Sequence, residues 1–264
     1  MSEQDSSPVL ETCDLDFSYP DIDGRPIPGV PPVVQHMSIR IPRGARCLLL
    51  GSNGAGKTTL LKVLGYSIPM QGDISALQMI ESLPGVDPAR RSNIMHVLDI
   101  DPEWRMHRVS DGQRRRVQIC LGLLKPPEVL LLDEITVDLD VLARADLLEF
   151  LKEESELRGT GIIYATHIFD GLERWPTHIM FLSGGRLKVW SKAEDIPELA
   201  NDQLLQLAEK WLREEKQLRK VAIANKEANG QSKPSVKMAS WSNGWAPGRM
   251  TSTLKDSSNA VLRM

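Results

Sequence analysis

Residues 51–60 read GSNGAGKTTL and directly follow the apolar run Cys47-Leu48-Leu49-Leu50. Residues 51–58 fit G-x-x-x-x-G-K-[ST] completely: Gly51, then Ser52, Asn53, Gly54 and Ala55, then Gly56-Lys57-Thr58, with Thr59 after them. Glycines let backbone N–H groups converge on an anion, and a helix starting inside the loop adds the positive end of its dipole. In this pattern Lys57 reaches the β- and γ-phosphates of a nucleotide, and the Thr58 hydroxyl can bind Mg2+. An apolar strand before the loop and a helix after it separate a phosphate loop from a chance glycine turn. The helix is expected to run to about Leu64.

Working outward, ARCLLLG, PEVLLLDE and GTGIIYATH are short apolar runs suited to buried parallel strands, each of the last two following a helical stretch. Strands alternating with helices predict an α/β fold with a parallel sheet, of the P-loop NTPase kind. VLETCDLDFSY reads as an edge strand, the proline-rich PDIDGRPIPGVPP as a loop, VVQHMSIRIP as an alternating strand, and THIMFLSGGRLKVWS as a hairpin. The expected organisation is a loose polar lead over 1–9, one nucleotide-binding domain over 10–200, an amphipathic helix over 201–221 and a polar, disordered tail over 222–264. The helix carries Leu204, Leu205, Leu207, Trp211 and Leu212 at helical spacing. Trp241 and Trp245 in the tail form a docking motif, pack loosely on the domain, or have no role.

Composition bounds the function. The 264 residues are 41% hydrophobic, enough for a real core, and the net charge of −3 gives no bulk attraction to nucleic acid or anionic membrane. The three cysteines are scattered and match no metal-ligand spacing, which fits free thiols in a reducing compartment. No apolar run approaches the roughly 20 residues of a membrane span, and the acidic start resembles neither a secretory signal nor a transit peptide. A cytoplasmic location is expected, with the nucleus left open.

Two further stretches carry chemistry. VLLLDE, residues 129–134, ends a buried strand in two acids: Asp133 can hold Mg2+ through water, and Glu134 can orient and deprotonate an attacking water. In VSDGQRRRVQI, residues 109–119, Ser110 and Gln113 have capping-box spacing, which predicts a helix start there. With Gly112 allowing close approach, that helix end is a second anion site. Two half-sites for one phosphate are redundant within a chain unless the second faces another molecule.

The series GSNGAGKTT, SDGQ, LLLDE and a strand ending in His167 resembles the nucleotide-binding domain of ABC-type ATPases over about residues 10–190. The resemblance implies two copies stacked head to tail, with ATP held between the phosphate loop of one and Ser110, Gly112 and Gln113 of the other. It implies that His167 contacts the γ-phosphate and that Asp140 belongs to a dimer-contact loop after Glu134. Tyr19 either stacks on adenine or is an ordinary edge-strand tyrosine. Similarity extends to a narrower group: stand-alone soluble ABC proteins of the plant ABC transporter I subfamily, and a fungal ATPase associated with an mRNA-regulatory complex. Asp111 stands where ABC signatures usually have glycine. Arg114-Arg115-Arg116 either add positive potential or form a solvated face.

Lys57 and Ser110 are only 53 residues apart (110 − 57). By the resemblance, that interval normally holds an antiparallel layer, a core strand ending in a glutamine loop, and a helical arm; here only the arm is recognisable. Part of the antiparallel layer and the glutamine-loop strand are expected to be missing, as in an alternative transcript or an incomplete gene model. Gln71 is the nearest glutamine but reads as the lead into the arm. The expectation is an exposed sheet edge, ATP binding that survives, and weakened hydrolysis. The implied function is an ABC-family ATPase dimerising on ATP with itself or a related ABC protein and acting on an unidentified protein partner. The alternatives are a non-hydrolysing scaffold and, below that, the detached ATPase subunit of a transporter.

Overall fold

The computed structural model of the chain describes residues 7–21, 25–64, 66–67, 74–228 and 260–263. Gln71, Trp241 and Trp245 lie outside the described residues, as does most of the lead over 1–9.

Two antiparallel strands, β1 (Leu10–Phe17) and β2 (Val34–Ile41), form a small separate sheet. The main sheet contains β3 (Arg46–Leu50), β4 (Tyr66–Ser67), β5 (Val129–Asp133), β6 (Gly161–Ala165), β7 (His178–Ser183), β8 (Arg186–Lys192) and β9 (Ala260–Arg263). Its order is β4-β9-β5-β6-β3-β7-β8, parallel throughout except for the β7–β8 hairpin. The helices are α1 (Lys57–Leu64), α2 (Ala76–Glu81), α3 (Pro88–Val97), α4 (Asp111–Leu123), α5 (Val141–Arg158), α6 (Pro197–Ala200) and α7 (Leu204–Ala228).

The central strands are apolar without interruption because both faces of the sheet are covered. In β5, Leu130 and Leu132 point into a core shared with the helical arm, α4 and α5, while Val129 and Leu131 point into a second core shared with the small sheet and α1. β3 and β6 divide in the same way, Leu48 and Tyr164 to one side, Cys47, Leu49 and Ile163 to the other. The parallel register sets the ends of β5 and β6 level, Asp133 opposite Ala165, so the loops after them emerge together. In open α/β sheets this carboxyl edge is where ligands bind.

The arm is bolted on by a buried ion pair. Arg90 of α3 makes two bonds to Glu154 of α5, at 2.7 and 2.8 Å, and its Nε donates to the carbonyls of Leu123 and Leu124 at the end of α4. With every charge hydrogen-bonded, the desolvation of the pair is offset; removing one partner alone typically costs about 3–5 kcal/mol.

Three expectations are revised. Leu205 is 58% exposed and does not share the packed stripe of α7, which runs through Leu204, Leu207 and Ala208 to Trp211 and Glu215. Leu205 sits about 100° round the helix from Leu204. The same helix continues past 221 to Ala228. Ala260–Arg263, expected to lie in an unstructured tail, forms a strand beside β5, so the edge expected to be open is covered.

Candidate active site

The phosphate loop leaves β3 at Gly51 and becomes α1 at Lys57. Gly51 has φ +154°, and a Cβ there would sit 2.4 Å from the Leu182 carbonyl oxygen, so only glycine lets the loop pass β7 this closely. Backbone bonds from Ala55 N–H to the Ser52 carbonyl and from Gly185 N–H to the Ala55 carbonyl brace the turn. Asn53, Gly54 and Thr58 are exposed, Gly56 half-buried, and Ala55 and Thr59 buried.

Lys57 is buried and its Nζ donates to the Gly51 carbonyl at 2.7 Å and to the Ser52 carbonyl at 3.3 Å. It also lies 3.4 Å from His167 Nε2. Burial lowers the Lys57 pKa, and the nearby carboxylates of Glu134 and then Asp133 oppose that shift. His167 Nε2 is in turn 3.5 Å from Glu134 Oε1, while the His167 backbone N–H donates to Glu134 Oε2 at 3.2 Å. Lysine, histidine and glutamate thus converge from the ends of three adjacent strands, β3, β6 and β5. Glu134 holds φ +51°, a left-handed conformation that an ordinary side chain adopts only at a cost. Its own N–H is fixed on the Ala165 carbonyl. Asp133, just before it, is buried.

Two polar atoms here, Ser52 Oγ and Glu134 Oε1, are buried without a hydrogen-bond partner. Unsatisfied buried oxygens call for an explanation, and a ligand offering donors or a cation supplies one. Together with the glycine cradle and the exposed Thr58 hydroxyl, they fit a magnesium nucleotide. Tyr19 reaches the same region: its hydroxyl is 3.1 Å from Thr59 Oγ1, and its ring meets Phe17 edge-on at 5.3 Å.

The second anion site stands apart. Ser110 caps α4, its Oγ accepting from Gln113 N–H at 3.2 Å while Gln113 Oε1 accepts from Ser110 N–H at 2.9 Å, the full reciprocal box. Gly112 packs under the loop after β5; a Cβ would meet the Asp138 carbonyl oxygen at 3.0 Å. No hydrogen bond joins this helix end to the phosphate loop among the described residues. Asp140 caps α5 through Ala143 N–H and pairs with Arg116 at 2.6 Å. Those contacts, Ala143 N–H first, hold its carboxyl below the usual range.

The arginine run is neither a solvated face nor free positive potential. Arg114 pairs with Asp111, Arg116 bridges Asp99 and Asp140, and Arg115 is 4% exposed. Burial pushes the Arg115 pKa down to about 10. Consecutive helical residues point about 100° apart, so three in a row cannot share one face, which was the available signal. Sequence reading also missed the Thr136–Tyr164 hydroxyl pair, 2.7 Å apart, that supports the loop from below.

Comparison with known proteins places the chain as a whole. A family model described as ABC transporter matches residues 34–91, and one for an AAA domain of the AbiEii toxin, Type IV TA system, matches residues 72–172. ABC transporter I family member 20 of Arabidopsis thaliana is 44% identical across 99% of this chain and 98% of its own length. The chain belongs to the ABC transporter ATPase family. Arabidopsis ABC transporter I family member 21 is 43% identical over 83% of this chain and 92% of its own, and CCR4-associated factor 16 of Saccharomyces cerevisiae is 41% identical over 59% and 71%. Among solved structures, the ATP binding subunit of an ABC transporter covers 77% of this chain and 98% of its own at TM-score 0.60 and 22% identity. A dimeric bacterial ABC transporter cassette covers 69% and 97% at TM-score 0.57 and 18% identity. At those identities the likeness establishes the ABC fold. The alignment to member 20 runs over 322 positions against 264 residues here, so at least 58 positions (322 − 264) face no residue of this ABC chain. No helix among the described residues is long and apolar enough to cross a membrane.

Proposed function

We propose that this ABC ATPase binds ATP with Mg2+ at the phosphate loop, closes on it as a dimer with itself or a related ABC protein, and hydrolyses it slowly while acting on a protein partner in the cytosol or nucleus. The observation that carries the reading is the convergence of Lys57, His167 and Glu134 beside the glycine loop. Thr58 and Asp133 would hold Mg2+, which when bound neutralises phosphate charge. Lys57 donates to phosphate oxygens in place of the loop carbonyls it now holds. Glu134, with Oε2 steadied by the His167 N–H and Oε1 making no hydrogen bond, accepts the proton of a water. His167, between lysine and glutamate, donates to the terminal phosphate. Tyr19, at the rim, offers a face to adenine.

Dimer closure is supported by the exposed Ser110 and Asp111 at the start of α4 and by the dimeric cassette among the structural neighbours. Domain limits of 10–200 for the nucleotide-binding unit, with α7 docked on it, fit that picture. The 58 or more unmatched positions favour weak hydrolysis and keep a second reading in view: a non-hydrolysing scaffold that binds ATP and a partner. Purified chain decides between them by calorimetry with Mg-ATP, light scattering with and without nucleotide, and phosphate release. Binding with doubled mass and slow release is expected. Absence of binding overturns the proposal; binding and dimerisation with no release selects the scaffold.

A further inference from the structure

The main sheet contains one strand from far outside its neighbourhood in sequence. β4 directly follows α1 near the start of the shortened Lys57–Ser110 interval; β5 comes after that interval and α4. Between them lies a slot one strand wide, and β9 fills it, pairing in parallel with both neighbours. Its register is Ala260 to Tyr66 and Val261 to Ser67 on one side, and Leu130 to Ala260 through Asp133 to Arg263 on the other. β9 also lies against α4, so it is enclosed by backbone on two edges and by a helix.

All five residues of β5 are buried, which a strand tolerates only if its outer N–H and C=O groups are paired. The aligned relatives carry residues that this chain lacks, at least 58 positions against member 20. The 31 residues between Ala228 and Ala260 (259 − 228) can span up to roughly 100 Å, far more than the molecule requires, and the closure entropy of such a loop grows only slowly with length.

We infer that Ala260–Arg263 is a tethered insertion strand that replaces, in cis, a sheet strand missing from the shortened interval, and that it controls the order of the carboxyl edge at Asp133. The acceptor is the outer edge of β5, and the occupant is the segment Ala260–Arg263 of the same chain, three apolar residues and an arginine. At its far end Arg263 is the register partner of Asp133. Control of the catalytic edge rests on the ATPase reading above; insertion of the strand does not.

Hydrogen exchange in the absence of nucleotide tests the insertion independently of ATP. In the full chain the amides of Ala260–Arg263 and of Leu130–Asp133 should be protected, and protection should not change on dilution. Truncation before Asn259, or Val261→Pro and Leu262→Pro separately, should speed exchange across Leu130–Asp133 at least tenfold. The peptide SSNAVLRM, residues 257–264, added in excess to the truncated chain should restore it. Exchange of 260–263 in the full chain at the rate of an unstructured peptide overturns the inference, needing no variant to fold. So does unchanged β5 protection after truncation, and loss of protection on dilution, which would assign the strand to a second copy. Control of the edge predicts at least a tenfold weaker Mg-ATP affinity in the truncated chain, recovered with the peptide. Intact exchange behaviour with no ATP binding by the full chain would fail the ATPase reading alone.

Discussion

Two helix starts in this molecule are suited to an anion, and their surroundings differ. At α1 the donors of the loop sit over a buried lysine, with Glu134 and His167 at the same end of the sheet and two buried oxygens lacking partners. At α4 the cap Ser110 and the first residue Asp111 are exposed, and the cap groups already satisfy each other through the Ser110–Gln113 box. On the proposed reading, the first is a phosphate site whose donors all come from one chain. The second offers a dipole end and little else, so its energy is realised only when another surface brings a phosphate to it. The same residue pattern, glycine beside a helix start, therefore has two meanings, separated by what the fold packs around it.

Substitutions on either side sharpen that contrast. Lys57→Ala should have the largest effect on binding, weakening Mg-ATP affinity roughly 100-fold, about 2.7 kcal/mol, by calorimetry, because charge-assisted bonds to phosphate have no replacement. Glu134→Gln should leave binding intact and lower phosphate release about 10²- to 10⁴-fold, the range of a lost general base. Equal release by this variant would remove Glu134 from the chemistry. Ser110→Ala should leave binding to the isolated chain unchanged, cost about 1 kcal/mol of stability through the lost cap, and suppress ATP-dependent doubling of mass in light scattering. If it weakened monomer binding as Lys57→Ala does, the two helix starts would belong to one site and the comparison would fail.

The smallest effect concerns pH. Asp140 has a depressed carboxyl pKa, held by Ala143 N–H and Arg116. As pH falls, the unfolded chain takes up this proton first, so the contribution is full above the ordinary carboxylate value and is lost as pH drops through the lowered one. Asp140→Asn should remove that part of the acid slope in denaturation followed from pH 6 to about pH 2, while wild-type chain keeps it.

Much of the architecture was readable locally. The phosphate loop, its strand and helix, the capping box at Ser110, the VLLLDE strand, the strand before His167 and the hairpin after it all rest on signals within a few residues of one another. Helical spacing says that Arg114, Arg115 and Arg116 cannot share one face, but that Arg115 is the buried one was not readable, since it depends on where the loop after β5 crosses α4. Nor was the Arg90–Glu154 pair, whose members stand 64 residues apart. Leu205 was misplaced because a hydrophobic residue at roughly helical spacing needs the actual docking angle to be put inside or outside.

By itself the sequence determined the chemistry on offer: a glycine loop with lysine and threonine, two acids ending a strand, and a histidine ending the next, because those patterns act through short-range geometry. Only the tertiary structure decided that Lys57, His167 and Glu134 meet, that α4 begins in the open, and that a strand from residues 260–263 lies beside β5. Parallel strands pair across any separation in sequence. Which segments become neighbours is settled by the burial of whole faces rather than by local preference.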